Sequence, residues 1–239
     1  MAFEIKIHKT PIATYAKRLG ENKPFSFVRY GNGEWDGILG TRNRTGSGSQ
    51  RFNIPGLRQG LQNSLKCGHD PSRYLVGMQG YAQRIPYMRK GSRQWLQINA
   101  PNLVWHDADV FHHSSARAQL WPLVEELRKK PLVFIGPPFL KKIAKRLPYI
   151  GFAEVRLRNC YQDMYQILAV ILKQKSPAVF CFSAGPTTKL LISKLFPILG
   201  EESFLIDFGS LWDIYCGVSS RSYHKKITSA ITRKNFGES

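Results

Sequence analysis

The sequence lacks any apolar stretch that approaches the roughly 20 residues needed to span a bilayer. It also lacks an apolar segment near the N-terminus of the kind that marks a secretory signal. Cysteine is scarce: the four cysteines are far apart and form no CxxC pair, which argues against a zinc site or a disulfide framework. A reducing compartment is the usual setting for such a chain. We therefore expect a cytoplasmic protein without a transmembrane segment.

Acidic residues are scarce as well, because 16 Asp and Glu stand against 35 Lys and Arg, for a formal net charge of +19. A charge this far from zero says little about a fold, but it raises the local concentration of polyanions at the surface. Nucleic acid, an anionic membrane surface and an anionic polymer such as a teichoic acid all fit it. The alternative is that the charge only serves solubility.

The pattern that is present is one of short apolar, β-rich runs alternating with helical segments. This alternation predicts an α/β fold with a Rossmann-like, mostly parallel sheet flanked by helices. The predicted strands are 25–29, 74–78, 103–106, 132–135, 154–157, 178–182 and 204–207. The predicted helices are 11–19, 57–66, 82–96, 116–129, 138–147, 161–173, 186–199 and a short one from residue 211. The 239 residues suit one domain, which we assign to 1–218, followed by a basic tail over 219–239.

The first predicted strand runs into a glycine-rich turn and then a helix. Gly31 and Gly33 allow positive φ and let a ligand approach the backbone closely. Glu34 and Asp36 stand where a diphosphate would sit, and carboxylates repel phosphate unless a divalent cation lies between them. The turn therefore fits a metal-bridged diphosphate, or a base placed near one. The alternative is that Glu34 or Asp36 only caps the helix that follows.

Two further side chains complete this turn as a candidate site. Asn32 and Glu34 offer the oxygen ligands that Mg²⁺ or Mn²⁺ takes, and Arg29 lies beside them in the sequence. Together with Asp36, these side chains fit a metal-bridged diphosphate, or a base placed near one.

A second turn follows the predicted strand at 178–182. Free backbone N–H groups at a helix N-terminus, together with Ser and Thr hydroxyls, make a ready anion site. The sequence lacks the full GxxxxGK[ST] pattern, so a nucleotide triphosphatase loop is not supported. The alternative is a simple strand-to-helix turn with Thr187 near the cap. The residues predicted to bind the anion here are Ser183, Gly185, Pro186, Thr187 and Thr188.

Other candidates follow other predicted strands, where open α/β sheets bind ligands. These candidates are Gly136, Asp107, Asp109 and Asp207. The dense His and Asp content of residues 106–113 could serve a base or a metal, but the spacing matches no standard zinc motif. We predict a polar loop at His112 and His113.

Two basic stretches have little apolar periodicity. The stretch at 41–53 is rich in Gly, Ser and Arg and reads as a loop that contacts a polyanion or acts as a lid; the alternative is a plain surface loop. The stretch at 219–239 is the predicted basic tail. The predicted polyanion contacts in these two stretches are Arg42, Arg44, Arg51, Lys225 and Lys226.

The run at residues 29–34, which reads Arg-Tyr-Gly-Asn-Gly-Glu, resembles the R-[FY]-G-D-G-E signature of the bacterial GT-D type glycosyltransferases. The runs at 136–137, 185–187 and 206–211 are similar to that family's later blocks and occur in the same order. The resemblance thus spans about residues 25 to 213. It implies a GT-D-like fold and a UDP-sugar donor held with Mn²⁺ or Mg²⁺. The family ties an acidic D-x-E pair to metal and donor. Here Asn32 replaces the first acid and Glu34 matches the second, so the resemblance implies that Asn32 and Glu34 bind the metal.

By this resemblance, the reaction would displace a diphosphate from the anomeric carbon of a sugar. Arg29, a cation near Glu34 and the N–H groups around residues 185–188 would stabilise the leaving group. The candidate catalytic carboxylates are Glu34, Asp36, Asp107 and Asp207, with Asp109 as a further candidate base.

The acceptor is predicted from charge. Members of the resembled family commonly glycosylate bacterial surface proteins or polysaccharides, whereas a net charge of +19 favours a polyanion. We predict a hexosyltransferase acting on DNA, at a hydroxymethylated pyrimidine of the kind made in phage-infected bacteria. Two alternatives stay open: a glycosyltransferase acting on a surface polysaccharide or protein, and a non-catalytic nucleic-acid-binding module.

Overall fold

The computed structural model describes residues 4–41, 51–52, 54–80, 84 and 86–238. The strands, in chain order, are β1 Ile7–His8, β2 Ser26–Tyr30, β3 Tyr74–Met78, β4 Trp105–Asp107, β5 Leu132–Gly136, β6 Gly151–Glu154, β7 Val179–Phe182 and β8 Phe204–Asp207. Within the described residues these strands form one sheet in the order β1-β4-β3-β2-β8-β7-β5-β6, in which every pairing is parallel.

Helices connect and cover the strands. The α-helices are α1 Ile12–Gly20, α2 Asn32–Leu39, α3 Pro55–Leu65, α4 Pro86–Asn99, α5 Val110–Ala116, α6 Trp121–Arg128, α7 Met164–Leu172, α8 Thr187–Leu199 and α9 Ser229–Phe236. In addition, 3-10 helices lie at Pro138–Lys145, Cys160–Asp163, Ile214–Cys216 and Ser222–Lys226.

Both faces of the sheet are buried by helices, and this burial explains the nearly continuous apolar strands. Side chains alternate between the faces along a strand. Along β2, Val28 and Tyr30 pack towards α2, α3, α4, α7 and α8, whereas Phe27 packs towards α1, α5, α6 and α9. The result is two apolar layers with the sheet between them.

The mostly parallel sheet predicted from the sequence is confirmed, and the strands predicted at 74–78 and 204–207 have the observed bounds. The strand predicted at 154–157 is wrong in position: β6 covers Gly151–Glu154, because pairing with β5 sets Gly151 opposite Val133. The helix predicted at 116–129 begins later, at Trp121, since Ala118 has a left-handed backbone with φ of 58°. The helix predicted at 138–147 is a 3-10 helix.

The segment predicted as a basic tail packs against the rest of the fold over 222–236. α9 buries Phe236 completely, and the Asn235 side chain beside it is also fully buried. The Asn235 amide nitrogen donates to the carbonyl oxygen of Ser115 at 2.7 Å, and its oxygen accepts from the N–H of Leu120 at 3.0 Å. The domain boundary at residue 218 stays a prediction, but most of the segment beyond it contributes to the core.

Among the described residues, none of the helices combines the length and the apolar character needed to cross a bilayer.

Candidate functional site

Three turns meet at one edge of the sheet, beyond the carboxyl ends of β2, β8 and β7. β8 lies between β2 and β7, and all three strands run in the same direction, so the turns that follow them are neighbours. The turns after β7 and β8 contain Gly185 and Gly209, with φ of 56° and 55°. In open α/β sheets this edge is where ligands bind.

The turn after β2 requires glycine for space rather than for a left-handed backbone. Gly31 has φ of −105°, and a Cβ there would lie 2.5 Å from Oε1 of Gln79. A Cβ at Gly33 would lie 2.4 Å from the ring of Phe52. The N–H of Gly31 donates to Oε2 of Glu34 at 3.0 Å, so this carboxylate does cap α2, as the structural alternative predicted.

The other oxygen of Glu34 takes part in a buried ion cluster. Nζ of Lys189, which lies on α8, is 2.8 Å from Oε1 of Glu34 and 3.0 Å from Oδ2 of Asp207. The same ammonium group donates to the carbonyl oxygen of Gly185 at 3.3 Å. The side chains of Lys189, Asp207 and Glu34 are 5%, 1% and 13% exposed. Lys189 therefore joins the turn after β2 to the start of α8.

Mutual attraction keeps Glu34 and Lys189 charged although they are buried. Burial alone would raise the pKa of Glu34, but Lys189 outweighs it and holds that pKa below its usual value. Burial alone would likewise lower the pKa of Lys189, but Asp207 and Glu34 raise it above the ordinary value for lysine. Glu34 is therefore a carboxylate and Lys189 an ammonium at neutral pH.

Asp207 ties three parts of the site together. Its Oδ2 accepts from the N–H of Arg29 at 3.2 Å, and its Oδ1 accepts from the N–H of Gly209 at 3.0 Å. With Lys189 as the third donor, this carboxylate holds β2, α8 and the turn after β8 in one arrangement.

The Arg29 side chain leads from β2 into a second polar cluster. Its Nε donates to the carbonyl oxygen of Ala108. Its Nη2 donates to Nδ1 of His112 at 2.7 Å and lies 3.5 Å from Oδ1 of Asp109. Gln79 donates to the same Asp109 oxygen at 2.9 Å. Arg29 thus positions the residues after β4, and its predicted contact with a donor diphosphate stays a prediction.

His112 is neutral in this cluster. Because a guanidinium can only donate, Nδ1 of His112 accepts from Arg29, and Nε2 carries the proton and donates to the carbonyl oxygen of Phe208 at 3.2 Å. Burial, reinforced by the Arg29 charge, lowers the pKa of His112 to about 3. The pKa of Asp109 is also below its usual value, because His112, Arg29 and Gln79 outweigh the effect of burial. The polar loop predicted at His112 and His113 is wrong, since both residues lie on α5.

The turn after β7 uses several of its predicted anion-binding groups internally. The Thr188 hydroxyl accepts from the N–H of Ala184 at 3.1 Å, and the Cys160 thiol lies 3.2 Å from the Thr187 hydroxyl. Pro186 precedes α8 as its N-cap. Oγ of Ser183 is buried and has no hydrogen-bond partner among the described residues. Ser183 is therefore the side chain of this turn that needs an additional partner.

The remaining predicted residues differ in their local surroundings. Oδ1 of Asn32, in the turn after β2, is buried without a hydrogen-bond partner in the described part of the chain. Asp36 accepts from the hydroxyl of Thr41 at 3.2 Å, beyond the end of α2. Asp107 caps the turn after β4 by accepting from the N–H of Asp109 at 2.9 Å. At Gly136 a Cβ would lie 2.5 Å from Leu140, so this glycine provides space for packing.

The structure describes three of the five predicted polyanion contacts. Arg42 and Arg44 lie outside the described residues. Arg51 is exposed, and its N–H donates to Oδ1 of Asn159 at 2.9 Å. Lys225 and Lys226 are exposed on the 3-10 helix Ser222–Lys226. Another residue of that helix contacts the site: the ring of Tyr223 lies 4.9 Å from the ring of His112.

Sequence reasoning did not select Lys189 as a site residue. The sequence did contain a signal. Lys189, Ile192 and Phe196 are spaced i, i+3 and i+7, so they lie on one face of the helix. A lysine on such an apolar stripe requires a buried partner. The sequence does not say which carboxylates supply it.

The described residues do not suit a divalent cation at Glu34. They contain no group of three or more His, Cys, Asp or Glu that could hold a metal ion. The two carboxylates of the ion cluster, Glu34 and Asp207, already share the ammonium of Lys189. Asn32 adds a neutral oxygen, which is a weaker ligand for a hard cation than a carboxylate.

No protein-family model and no curated protein sequence matches this chain. Solved structures do. One, described as a domain of unknown function 1792 (DUF1792) with a distinct glycosyltransferase fold, is 19% identical; the match covers 87% of this chain and 80% of that one, with a TM-score of 0.67. A second, described as a new glycosyltransferase (DUF1792) from Streptococcus sanguinis, is 17% identical over 88% of this chain and 84% of that one, with a TM-score of 0.66.

This chain has the DUF1792 fold. The similarity in sequence is low, so it is the arrangement of strands and helices that these proteins share. Within the DUF1792 fold, this chain places Glu34, Lys189 and Asp207 together at the carboxyl edge of the sheet. That edge is the candidate active site.

Proposed function

We propose that this chain is a glycosyltransferase that moves a sugar from a nucleotide-sugar donor, a UDP-sugar, to an acceptor hydroxyl. The observation that carries the proposal is the meeting of two turns within the DUF1792 fold, where Lys189 joins Glu34 to the start of α8. A donor diphosphate at this edge would face the amino end of α8, whose N–H groups carry partial positive charge. Such groups stabilise the negative charge that develops on the leaving diphosphate.

Two orphan polar atoms support a polar ligand at this edge. Oδ1 of Asn32 and Oγ of Ser183 are buried, and neither has a hydrogen-bond partner among the described residues. Leaving such groups unpaired costs about 1–3 kcal/mol each. One follows β2 and the other follows β7, the strands on either side of β8. We propose that both groups contact the donor.

The proton of the acceptor hydroxyl needs a carboxylate that can be reached. Asp207 is 1% exposed and Asp36 is 6% exposed, so both are poorly placed to meet an acceptor. The side chains of Asp107 and Asp109 are 24% and 18% exposed. We propose that the base is one of these two. Asp107→Asn and Asp109→Asn distinguish them, because loss of the base removes transfer while the donor still binds.

The acceptor proposal rests on charge. Between Asp36 and Asp107 the sequence has Asp70 as its one acidic residue, while Lys and Arg recur throughout. This stretch supplies α3 and α4, which cover the same face of the sheet. We propose a polyanionic acceptor, tested first as DNA with hydroxymethylated pyrimidines. A surface polysaccharide or protein is the alternative acceptor.

The test is a transfer assay in which a panel of UDP-sugars is offered to hydroxymethylated DNA, unmodified DNA and an anionic surface polysaccharide. Mass spectrometry of each acceptor should detect the mass of one added sugar. Glu34→Gln should reduce transfer, and Glu154→Gln, at an exposed site on β6, is the matched control. If no UDP-sugar is consumed, either with an acceptor or with water, the proposal is overturned and a non-catalytic binding module is favoured.

A further inference from the structure

We propose that Lys189 is a built-in cation that takes the place of a divalent metal ion in this site, so that donor binding and transfer proceed without Mn²⁺ or Mg²⁺. The transfer part of this inference rests on the function proposed above, whereas the metal-binding part does not. It departs from the metal site that the sequence predicted at Asn32 and Glu34.

The first argument is where the ammonium lies. Its nitrogen is 2.8 Å from a Glu34 oxygen and 3.0 Å from an Asp207 oxygen, in the space between the two carboxylates. A metal ion that used both carboxylates would need that same space. It would have to displace a lysine side chain that is 5% exposed and carries its own positive charge.

The second argument is that the hydrogen-bonding capacity of the cluster is already used. An ammonium group has three donors, and Lys189 has three acceptors: Glu34, Asp207 and the carbonyl oxygen of Gly185. Each carboxylate oxygen also has a donor. The N–H groups of Gly31 and Gly209 serve the oxygens that Lys189 does not reach. A cluster satisfied in this way gains little by exchanging its cation.

The third argument is charge at residue 32. Because Asn32 is neutral, a divalent ion at the turn after β2 would depend on Glu34 and Asp207 for both compensating charges, and Lys189 already uses both carboxylates. Asn32 supplies a neutral amide, and Lys189 supplies one positive charge against the two carboxylates. Asn32 therefore adds no charge that would favour a divalent ion over the resident lysine.

Lys189 acts here as a positioning residue. Its three N–H groups all donate to acceptors of the protein, so Lys189 does not contact the sugar donor itself. It fixes Glu34, which caps α2, and the carbonyl group of Gly185, which precedes α8. Its charge acts in a site of low exposure, where fixed charges are less screened than in water.

The first experiment measures Mn²⁺ binding by electron paramagnetic resonance on the purified full chain, with no donor present. We expect the free Mn²⁺ signal to equal that of buffer for the wild-type protein. The double variant Asn32→Asp, Lys189→Met presents three carboxylates and should reduce the free Mn²⁺ signal. Stoichiometric Mn²⁺ binding by the wild-type protein would overturn the proposal, whether or not the double variant folds.

The second experiment measures transfer with EDTA and with Mn²⁺. Wild-type activity should be unchanged by EDTA. Lys189→Met should lose about a hundredfold in kcat/KM, as when a preorganised electrostatic group is removed, and Mn²⁺ should restore part of that loss. Lys194→Met, at an exposed site on the same helix, is the control. Wild-type activity that EDTA abolishes and Mn²⁺ restores would refute the inference; absence of all transfer would refute the proposed function, and the Mn²⁺ titration would still decide this one.

Discussion

Glu34 has two structural partners, and each uses a different oxygen of the carboxylate. Oε2 caps α2 through the N–H of Gly31, and Oε1 pairs with Lys189. The cap explains why α2 begins directly after Gly31. The ion pair explains why a lysine is tolerated on the buried face of α8. Glu34, which matches an acid of the family signature, therefore also has a structural role. Stability and function have to be measured separately at this position.

Removing the charge of Glu34 should destabilise the fold. Glu34→Gln leaves Lys189 with Asp207 as its one carboxylate partner, and we expect the free energy of unfolding to fall by about 2 kcal/mol. Urea unfolding measures this change. Glu154→Gln breaks an exposed pair with Lys141 and should have no measurable effect. Equal behaviour of the two variants would show that the Glu34 pair is as weak as a surface pair.

His112 should make stability depend on pH. Its folded pKa is about 3, against the usual value of 6.5 in the unfolded chain. Between these values the unfolded chain binds more protons, so the contribution of His112 is complete above pH 6.5 and is lost as pH falls towards 3. From pH 6.5 to pH 5 the loss is about 2 kcal/mol.

Urea midpoints at pH 7 and pH 5 test this dependence. His112→Gln should show a smaller fall than the wild-type protein, because glutamine has no proton to gain. His113→Gln is the control, since the neighbouring His113 side chain is 58% exposed. The prediction fails if the wild-type protein and His112→Gln lose the same stability between the two pH values.

At the scale of the element, α9 tests whether the C-terminal segment belongs to the domain. Asn235→Ala removes the bonds from its amide to Ser115, Leu120 and Tyr215, and leaves the buried backbone N–H of Leu120 without the acceptor it has in the fold. We expect the free energy of unfolding to fall by about 3 kcal/mol. Lys234→Ala, one residue earlier and exposed, should change little. A stable Asn235→Ala protein would restore the view of this segment as a tail.

Central elements could be predicted from sequence better than edge elements. β3 and β8 are buried on both faces, so their apolar runs mark their bounds. β1 has two residues and β6 pairs with β5 on one side, so pairing rather than composition determines where they lie. The start of the helix near residue 120 does not follow from the sequence, because the left-handed conformation of Ala118 has no signature there.

The location of the site could be predicted from the sequence, because it follows from the parallel strand order. Glycine turns after parallel strands share one edge, and the turns containing Gly31, Gly185 and Gly209 do so. The pairing of Glu34 with Lys189 joins residues far apart in the chain, and its choice among many carboxylates depends on how α2 and α8 pack. Side-chain partners of this kind follow from tertiary structure, which a single sequence does not contain.

At the scale of the whole molecule, the net charge of +19 is unevenly distributed along the chain. The stretch that supplies α3 and α4 has Asp70 as its one acidic residue, and Arg84, Arg89 and Lys90 are exposed at or near the start of α4. On the opposite face of the sheet, basic residues in α1 and at the end of α6 have acidic partners: Lys17 pairs with Glu21, and Lys129 pairs with Glu126. A polyanion should therefore bind on the α4 side.

Affinity for duplex DNA measured against salt concentration tests this asymmetry. Changing Arg84, Arg89 and Lys90 to Gln should weaken binding and lower the slope of log affinity against log salt by about 1 for each phosphate that the protein no longer neutralises. The control removes the same charge from the other face, at Lys17, Lys23 and Lys129. Because these lysines pair with carboxylates, their loss should leave the slope nearly unchanged. Equal weakening by the two triple variants would mean that DNA responds to total charge and that α4 forms no binding surface.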